Sequence, residues 1–267
     1  MDQSAEASLE QALARTESDA EQALKAAEGL VRSLRKLRAA ARTGNLRDLH
    51  ATMEGGEKAL AGLRQQFANT KEGWRFDEQG YFEGEGFVRE VLDTGNRLGL
   101  RIVDRDDRLY CYPSLLRVSA SDRSVYIDKK REAKVRPTVL VAHLKELQRK
   151  PPRFRPEGFL ASLYAAYTKV VASQPKLLLP YGPVVPLVDL YELLTLLPGQ
   201  TREYSRQEFA RDIYLLHSSD VDTTKNGARV SFPISRGVAG KTLSVVDQSG
   251  EEKRYYGIAF LPAAKEQ

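Results

Sequence analysis

The sequence predicts an α+β protein of several domains, and three observations carry this prediction. Apolar and small residues recur at helical spacing through the first part of the 267-residue chain. Short β-like segments follow, and the last part alternates helical and β-like patterns. We therefore expect a coiled-coil-like helical hairpin at 1–75, a small β-rich α+β module at 76–136, a basic helix with a Pro/Arg connector at 137–155, and a mixed domain at 156–267.

The N-terminal pattern predicts two long helices joined by a tight turn. From Ser4 to Arg42, apolar and small residues form two neighbouring rows at heptad spacing, as in a coiled coil. Gly44 ends this helix, and Asn45 is the N-cap of the next. The rows are Leu9, Ala23, Leu30 and Leu37, then Leu13, Ala20, Ala27, Leu34 and Ala41; the second helix has Leu46, Leu49, Met53, Leu60, Leu63 and Phe67. We expect this arm either to join other protein chains, in a homo- or hetero-oligomer, or to cover its own body.

The middle of the chain predicts a small sheet followed by a helix. A helix from Phe87 to Thr94 ends at Gly95, and the β-like segments are "LRIVD", "RLYCY", "LLRV" and "SVYID". Turn residues separate these segments, which indicates a twisted antiparallel sheet. Pro137 then precedes a helix over 138–149, and the prolines of "RKPPRFRP" favour an extended connector after it.

The last part has the clearest order of elements. Pro156 and Pro186 each open an apolar helix, with the extended segment "KLLLPYGPVV" between them. Ser205 and Glu208 form a capping box at the start of a third helix. A strand "ARVSFPI" and a hairpin of "TLSVVD" and "KRYYGIAF" complete the order helix, strand, helix, helix, strand, strand, strand.

This order resembles the winged-helix DNA-binding superfamily between Pro156 and Pro262. The capped third helix and the hairpin after it carry the likeness, although the loop from Pro198 to Tyr204 is longer than is usual in that superfamily. The resemblance implies a recognition helix whose side opposite the apolar stripe reads base edges, and a wing that contacts phosphate. The residues at these positions are Gln207, Arg211, Tyr214 and Ser218 on the helix, and Lys241, Lys253 and Arg254 at the wing.

One stretch makes the chain basic. Between Lys129 and Arg155 the local charge is +8, whereas the remaining residues sum to −3. Clustered Lys and Arg favour nucleic acid because they release counterions condensed on phosphates, and Phe154 adds a candidate stacking ring. The basic residues are Lys129, Lys130, Arg131, Lys134, Arg136, Lys145, Arg149, Lys150, Arg153 and Arg155; a second cluster is Arg32, Arg35, Lys36, Arg38 and Arg42. The alternatives are a solvated surface or an acidic protein partner.

The leading hypothesis is a non-enzymatic, regulatory or accessory subunit that binds nucleic acid, with duplex DNA as the favoured form. The first alternative is an assembly subunit of a larger protein complex, docking through the helical arm and the apolar Leu177 to Leu197 region. The second alternative is a metal-dependent nuclease, because such enzymes place carboxylates close to a lysine. The residues for that chemistry are Asp122, Asp128, Glu132 and Lys134.

Several classes are disfavoured by composition. No apolar run reaches the ~20 residues of a membrane span, and the acidic N-terminus lacks the features of a secretory signal. Cys111 is the single cysteine and the three histidines are far apart, so we expect neither a disulfide nor a structural metal. The sequence has no Gly-rich phosphate loop. We therefore expect a cytoplasmic protein with no cofactor and no membrane contact.

Overall fold

The computed structural model describes residues 8–105, 107–173, 182–233 and 242–261. These residues form two compact units, each assembled from separate parts of the chain. Unit 1 comprises 1–98, 118–126 and 131–142, and unit 2 comprises 99–117, 127–130 and 143–267. Residues of the sheet module predicted at 76–136 therefore belong to both units. The overall class is mixed helix and sheet with a long helical N-terminal region, in agreement with the predicted α+β class.

A two-helix hairpin dominates unit 1. Helix α1 spans Leu9–Thr43 and α2 spans Leu46–Gly73, in contact with each other along their lengths. Gly44 takes the left-handed conformation at the end of α1 (φ 72°), and the Asn45 side chain accepts a hydrogen bond from the amide of Asp48. The predicted end of α1 at Gly44 and the predicted start of α2 at Asn45 are thus confirmed, because helix caps depend on local chemistry.

Two further helices follow the hairpin in unit 1. Helix α3 spans Glu78–Glu83, and its N-cap Asp77 accepts a hydrogen bond from the Gly80 amide at 3.0 Å. Helix α4 spans Gly86–Arg97, so it passes through the predicted stop at Gly95. Gly95 is buried, and Gly99, with φ 69°, follows the helix instead.

The base of the hairpin is fixed to α4 by one carboxylate. Glu90 accepts hydrogen bonds from the backbone amides of Leu9 and Glu10, at 2.8 and 3.0 Å. The hydroxyls of Ser8 and Tyr81 donate to the same side chain. These donors include the free amides at the start of α1, where a negative charge is favourable.

Five strands form a sheet in sequence order. They are β1 (Val103–Arg105), β2 (Arg108–Cys111), β3 (Ser114–Ser119), β4 (Ser124–Ile127) and β5 (Lys130–Glu132). β1 and β2 are antiparallel, with Val103 opposite Tyr110, and β2 and β3 are antiparallel, with Leu109 opposite Leu116. β5 is not predicted from the sequence, where its residues belong to the basic stretch and Glu132 is also a candidate for nuclease chemistry.

The remaining elements belong almost entirely to unit 2. The helices are α5 (Pro137–Arg149), α6 (Pro156–Ser173), α7 (Leu187–Leu194), α8 (Gln200–Glu203) and α9 (Arg206–His217), of which α5 begins in unit 1. The strands are β6 (Val185–Pro186), β7 (Arg229–Ser231), β8 (Leu243–Val246), β9 (Glu252–Tyr255) and β10 (Gly257–Leu261). The predicted starts at Pro137 and Pro156 are confirmed, and the capping box of Ser205 and Glu208 is formed.

Strands β6 to β10 form two small sheets where the sequence predicts one hairpin. β10 lies between β6 and β7, antiparallel to both, whereas β8 and β9 pair only with each other. The segment "KRYYGIAF" is therefore divided at Tyr256, whose carbonyl accepts a hydrogen bond from the Leu187 amide. Helix α8 occupies the predicted loop before α9, and part of the segment "KLLLPYGPVV" lies outside the described residues.

Phe209 of α9 is at the centre of the unit 2 core. Its ring centroid lies 6.1 Å from that of Phe159, 5.5 Å from that of Tyr191 and 6.1 Å from that of Tyr204. Ile213 and Leu216 continue the same buried stripe, as the sequence predicts. This stripe fixes which side of α9 points away from the core.

Candidate nucleic-acid interface

The ten basic residues of the 129–155 stretch divide into those with protein partners and those without. Lys129 lies 3.2 Å from a carboxylate oxygen of Glu208 and also donates to the Glu203 carbonyl. Arg131 donates to the hydroxyl of Ser124 and to the carbonyl of Asp122. These two cations already stabilise the fold, so they are poorly placed to contact phosphate.

Arg136 is the most strongly held member of the stretch. Its guanidinium contacts the carboxylates of Glu10 and Glu17 of α1, each at 2.6 Å. Burial alone would raise the pKa of Glu10, but hydrogen bonds from Thr138 and Arg136 outweigh it and leave that pKa lowered. Arg136 therefore attaches the start of α5 to α1 within unit 1.

The unpaired charge is concentrated at the end of α5 and in the connector after it. Arg149, Lys150, Arg153 and Arg155 are all exposed, and none makes an ion pair with any residue that the structure describes. Lys130 and Lys134 are also exposed, whereas Lys145 is half-buried. Four unpaired cations within seven residues form the strongest candidate for phosphate contact, and we call Arg149 to Arg155 the basic connector.

The basic connector is held in place by one aromatic side chain. Phe154 is half-buried, and its ring lies 5.4 Å from that of Phe159 in an edge-on arrangement. Phe159 in turn contacts Phe209 in the core. Phe154 thus packs on the protein and is not a free ring for stacking on a base, while its neighbours Arg153 and Arg155 remain in water.

Two residues on the polar side of α9, Arg211 and Tyr214, are in contact with other parts of unit 2, whereas the winged-helix resemblance implies that this side reads base edges. Arg211 lies between two carboxylates, 2.7 Å from Asp128 and 3.1 Å from Asp212, and its side chain is 20% exposed. Tyr214 packs edge-on against Tyr112, with ring centroids 5.5 Å apart. Arg211 could reach a base edge only after both ion pairs were broken.

A buried polar network supports this arrangement of α9. The hydroxyl of Tyr204 donates to Asp212 at 2.7 Å. Burial, with the adjacent Asp212 carboxylate, raises the pKa of Tyr204, and burial also raises the pKa of Asp212 despite the nearby Arg211 guanidinium. Gln207, the other predicted base-reading residue, is half-buried, and Ser218 is exposed. Base contact by this helix stays a prediction. Arg211, the arginine expected to contact a base, is bound to Asp128 and Asp212.

A two-residue turn explains why the polar side of α9 is covered. Asp128 and Lys129, between β4 and β5, have φ values of 45° and 71°. Positive φ at both positions is the feature of a type I′ hairpin turn. Asp128 binds Arg211 and Lys129 binds Glu208. The turn therefore contacts α9 through two ion pairs, and it supplies the acidic residue of one and the basic residue of the other. The turn is not predicted from the sequence because Lys129 occupies the position at which the usual Asn-Gly or Asp-Gly signal has Gly.

The charges at the predicted wing are neutralised by neighbours on the same hairpin. Lys253 lies 3.0 Å from Glu251 and 3.5 Å from Asp247. Arg254 makes two hydrogen bonds to Glu252, at 3.0 and 2.9 Å. Lys241, the third predicted wing residue, lies outside the described residues. The wing is therefore a weaker candidate for phosphate contact than the basic connector.

The residues considered for nuclease chemistry are used in local hydrogen bonds. Asp122 accepts from the hydroxyls of Ser119 and Tyr126, and Asp128 is paired with Arg211. Glu132 accepts from the backbone amide of Lys134 at 2.8 Å. Within the described ranges, no three His, Cys, Asp or Glu side chains lie close enough together to hold a metal ion.

The comparisons do not assign the chain to a family. Among the helices that the structure describes, none has the length and apolar character needed to cross a membrane. Comparison of the chain with protein-family models, with curated proteins and with solved structures gives no match in any of the three.

Proposed function

We propose that this protein is a non-enzymatic, regulatory or accessory nucleic-acid-binding protein that contacts the phosphates of duplex DNA through its basic connector. One observation carries the proposal: Arg149, Lys150, Arg153 and Arg155 are exposed and have no ion pair among the described residues. Cations of this kind gain affinity by displacing counterions from phosphates. A cation held by a carboxylate, such as Arg136, gains less because it must first lose that partner.

The length of the basic connector suits several phosphates. Arg149 is the last residue of α5, and the Phe154 amide donates to the Pro152 carbonyl, so the segment is not fully extended. Its six residue steps therefore cover less than the roughly 19 Å of a fully extended, proline-rich segment at ~3.1 Å per residue. Phosphates along one DNA strand are separated by ~3.4 Å in the direction of the helix axis, so four cations on this segment can each meet a different phosphate. Attachment through Phe154 lowers the entropy lost when the segment binds.

The proposal treats the 156–267 region as a winged-helix-like domain that supports the connector and does not read bases. The order α6, β6, α7, α9, β7 and β10 supports this likeness, with α8 and the β8–β9 hairpin as additions. Because Arg211 is held by Asp128 and Asp212, we propose that binding is independent of base sequence.

A charge-reversal variant tests the proposed function. Replacing Arg149, Lys150, Arg153 and Arg155 together by Glu should abolish binding to random-sequence duplex DNA while leaving the circular dichroism spectrum unchanged. Arg211→Ala is the matched variant for base readout, and it should change the affinity for every duplex by the same small factor. Unchanged binding by the charge-reversed protein would exclude the basic connector as the DNA site.

An assembly subunit remains the second candidate, because the hairpin leaves large apolar side chains in water. Leu46, Phe67 and Leu24 are 66%, 65% and 64% exposed. Exposed apolar rows of this kind favour contact with another protein. Purification in high salt with nuclease separates the two functions, since a phosphate-dependent complex dissociates as salt rises and an apolar one persists.

A further inference from the structure

Each helix of the hairpin carries apolar side chains that the other helix leaves exposed. The seam between the helices consists of half-buried residues at alternating spacings of three and four: Ala23, Ala26, Leu30, Ser33 and Leu37 on α1, and Leu49, Thr52, Gly56, Ala59 and Leu63 on α2. Beside this seam, Leu46, Met53, Leu60 and Phe67 of α2 recur every seven residues and are all exposed. On α1, Leu24, Val31 and Leu34 are exposed as well.

These two exposed sets lie on the same side of the hairpin. If the seam residues occupy heptad positions a and d, the exposed row of α2 occupies e, Leu34 of α1 also occupies e, and Leu24 and Val31 occupy the adjacent b. The e positions of two antiparallel helices flank the same side of their seam. The seven side chains therefore form one continuous surface, which we call the apolar face.

The pattern of the apolar face is that of a helix bundle. A hairpin needs apolar residues only at a and d, whereas helices that pack on two neighbours carry a third apolar row at e or g. Helix α2 has no fully buried residue among those described, which is unusual for an ordered helix of 28 residues. A further layer of helices would bury both the seam and the apolar face.

The charges of α1 indicate which molecule forms that layer. Residues 8–28 contain two basic and five acidic residues, of which Glu10 and Glu17 are bound to Arg136. Residues 29–43 contain five basic residues and no acidic one. The five basic side chains make no ion pair with any described residue. A second α1 running in the opposite direction would place its acidic half against this basic half, so the surface is complementary to itself.

The register of the apolar face is also consistent with a two-fold axis. An axis between Ala27 and Glu28 places Leu24 opposite Val31 of the other copy, and Glu21 within one residue of Arg35. On α2 the row is symmetric about Leu60, which puts Met53 opposite Phe67. The hydrogen bond between Gln22 and Gln66 sets the two helices so that Leu60 is level with the centre of α1. One axis therefore suits both helices, as an isologous dimer requires.

We propose that the apolar face binds the same face of a second copy of this chain, forming an antiparallel four-helix bundle in which α1 lies on α1 and α2 on α2. This proposal does not depend on nucleic-acid binding, since it uses only residues of the hairpin. A different protein partner is less favoured because it would have to match both the apolar row and the reversed charge order.

The mass of the full-length protein in solution gives the first test. Light scattering coupled to size exclusion at tens of micromolar should give twice the 29.9 kDa of one chain. Leu60→Glu places two like charges at the axis and should return the mass to that of one chain. Val139→Glu is the matched control, because Val139 is 42% exposed and lies outside the hairpin, and it should leave the dimer unchanged.

Cysteine cross-linking tests the direction of the dimer. Ala27 lies about half a residue from the axis. In the Ala27→Cys variant, the introduced cysteines of the two chains should therefore form a disulfide with each other under mild oxidation. Ala20→Cys is the control on the same row, since its two copies would be ~22 Å apart along the helices at ~1.5 Å per residue, too far for a disulfide. The native Cys111 is buried and does not interfere.

Charge exchange provides a third test that does not alter the apolar face. Arg35→Glu and Glu21→Arg should each weaken the dimer, and the double variant should restore it. A single-chain mass for the unaltered protein would overturn the proposal. So would a dimer that survives Leu60→Glu, or one that Ala20→Cys links as readily as Ala27→Cys.

Discussion

The salt dependence of DNA binding measures how many cations of the basic connector contact phosphate. Each phosphate neutralised contributes about −0.9 to the slope of log affinity against log salt concentration. Four contacts from Arg149, Lys150, Arg153 and Arg155 would contribute a slope of about −3.6. Between 50 and 200 mM salt, such a slope corresponds to a loss of affinity of roughly 150-fold.

Alanine substitutions divide this slope among the individual residues. Replacing all four connector cations by Ala should make the slope shallower by about 3.6, and Arg153→Ala alone by about 0.9. Fluorescence anisotropy of a labelled random-sequence duplex, titrated at a series of KCl concentrations, measures both. Lys169→Ala is the matched control: this lysine is exposed and unpaired among the described residues, but it lies ~20 Å along α6 from Pro156 at ~1.5 Å per residue.

Two results would refute the argument. If the four-fold alanine variant keeps the slope of the unaltered protein, the connector cations do not meet phosphate. If Lys169→Ala reduces the slope as much as Arg153→Ala, binding depends on net charge and not on the connector. A reduced affinity with an unchanged slope would also contradict counterion release, since a lost phosphate contact must change both quantities.

Three further predictions concern stability and reactivity. Arg211→Ala should lower the free energy of unfolding by about 2 kcal/mol in a denaturant titration, because Asp212 would lose a charged hydrogen-bond partner in a mostly buried site. The hydrogen bonds of Arg254, then Arg105, lower the pKa of Glu252 from 4.5 to about 2, so the stabilisation is present above pH 4.5 and is lost as pH falls to 2; Glu252→Gln should flatten melting temperature against pH in that range. Burial raises the pKa of the Cys111 thiol to about 12, so an aromatic disulfide reagent should label it only as fast as the protein unfolds; rapid labelling of the native protein would contradict this.

The parts of the fold that depend on local chemistry are predictable from the sequence. Gly44 and Asn45 separate the two long helices, Pro137 and Pro156 begin two others, and Ser205 caps α9. Each of these signals acts through backbone groups within one helical turn, so tertiary contacts do not override it. The end of α1 and the starts of α2, α5, α6 and α9 are accordingly correct to within one residue, whereas α1 begins at Leu9 and not at the predicted Ser4.

The features that the sequence does not predict depend on contacts between distant parts of the chain. β5 is a strand because of the positive-φ turn at Asp128 and Lys129, in which Lys129 replaces the glycine of the usual hairpin signal. The break at Tyr256 depends on β10 joining β6, whose two residues give little periodic signal. The covering of Arg211 depends on a contact with Asp128, 83 positions away. Periodicity identified the polar side of α9 correctly but could not reveal what lies against it.

The N-terminal hairpin shows the same limit of periodicity in another way. Two neighbouring apolar rows can be found on each helix from the sequence, and both look suitable for the seam. Only one row on each helix faces the other helix, as the half-buried Leu30 and Leu63 and the exposed Leu34 and Leu60 demonstrate. The second row on each helix is therefore left exposed on the surface of the hairpin. The proposed dimer is inferred from this exposed row.

The two proposals have a joint consequence, although each can fail without the other. A dimer formed through the hairpins carries two basic connectors, one on each chain. Binding of the first connector to a long duplex raises the effective concentration of the second, so the apparent affinity of the dimer exceeds that of either connector alone. Leu60→Glu, which leaves Arg149 to Arg155 intact, would then weaken binding to a long duplex much more than to a short one. The length of the duplex thus separates a loss of dimerisation from a loss of phosphate contact.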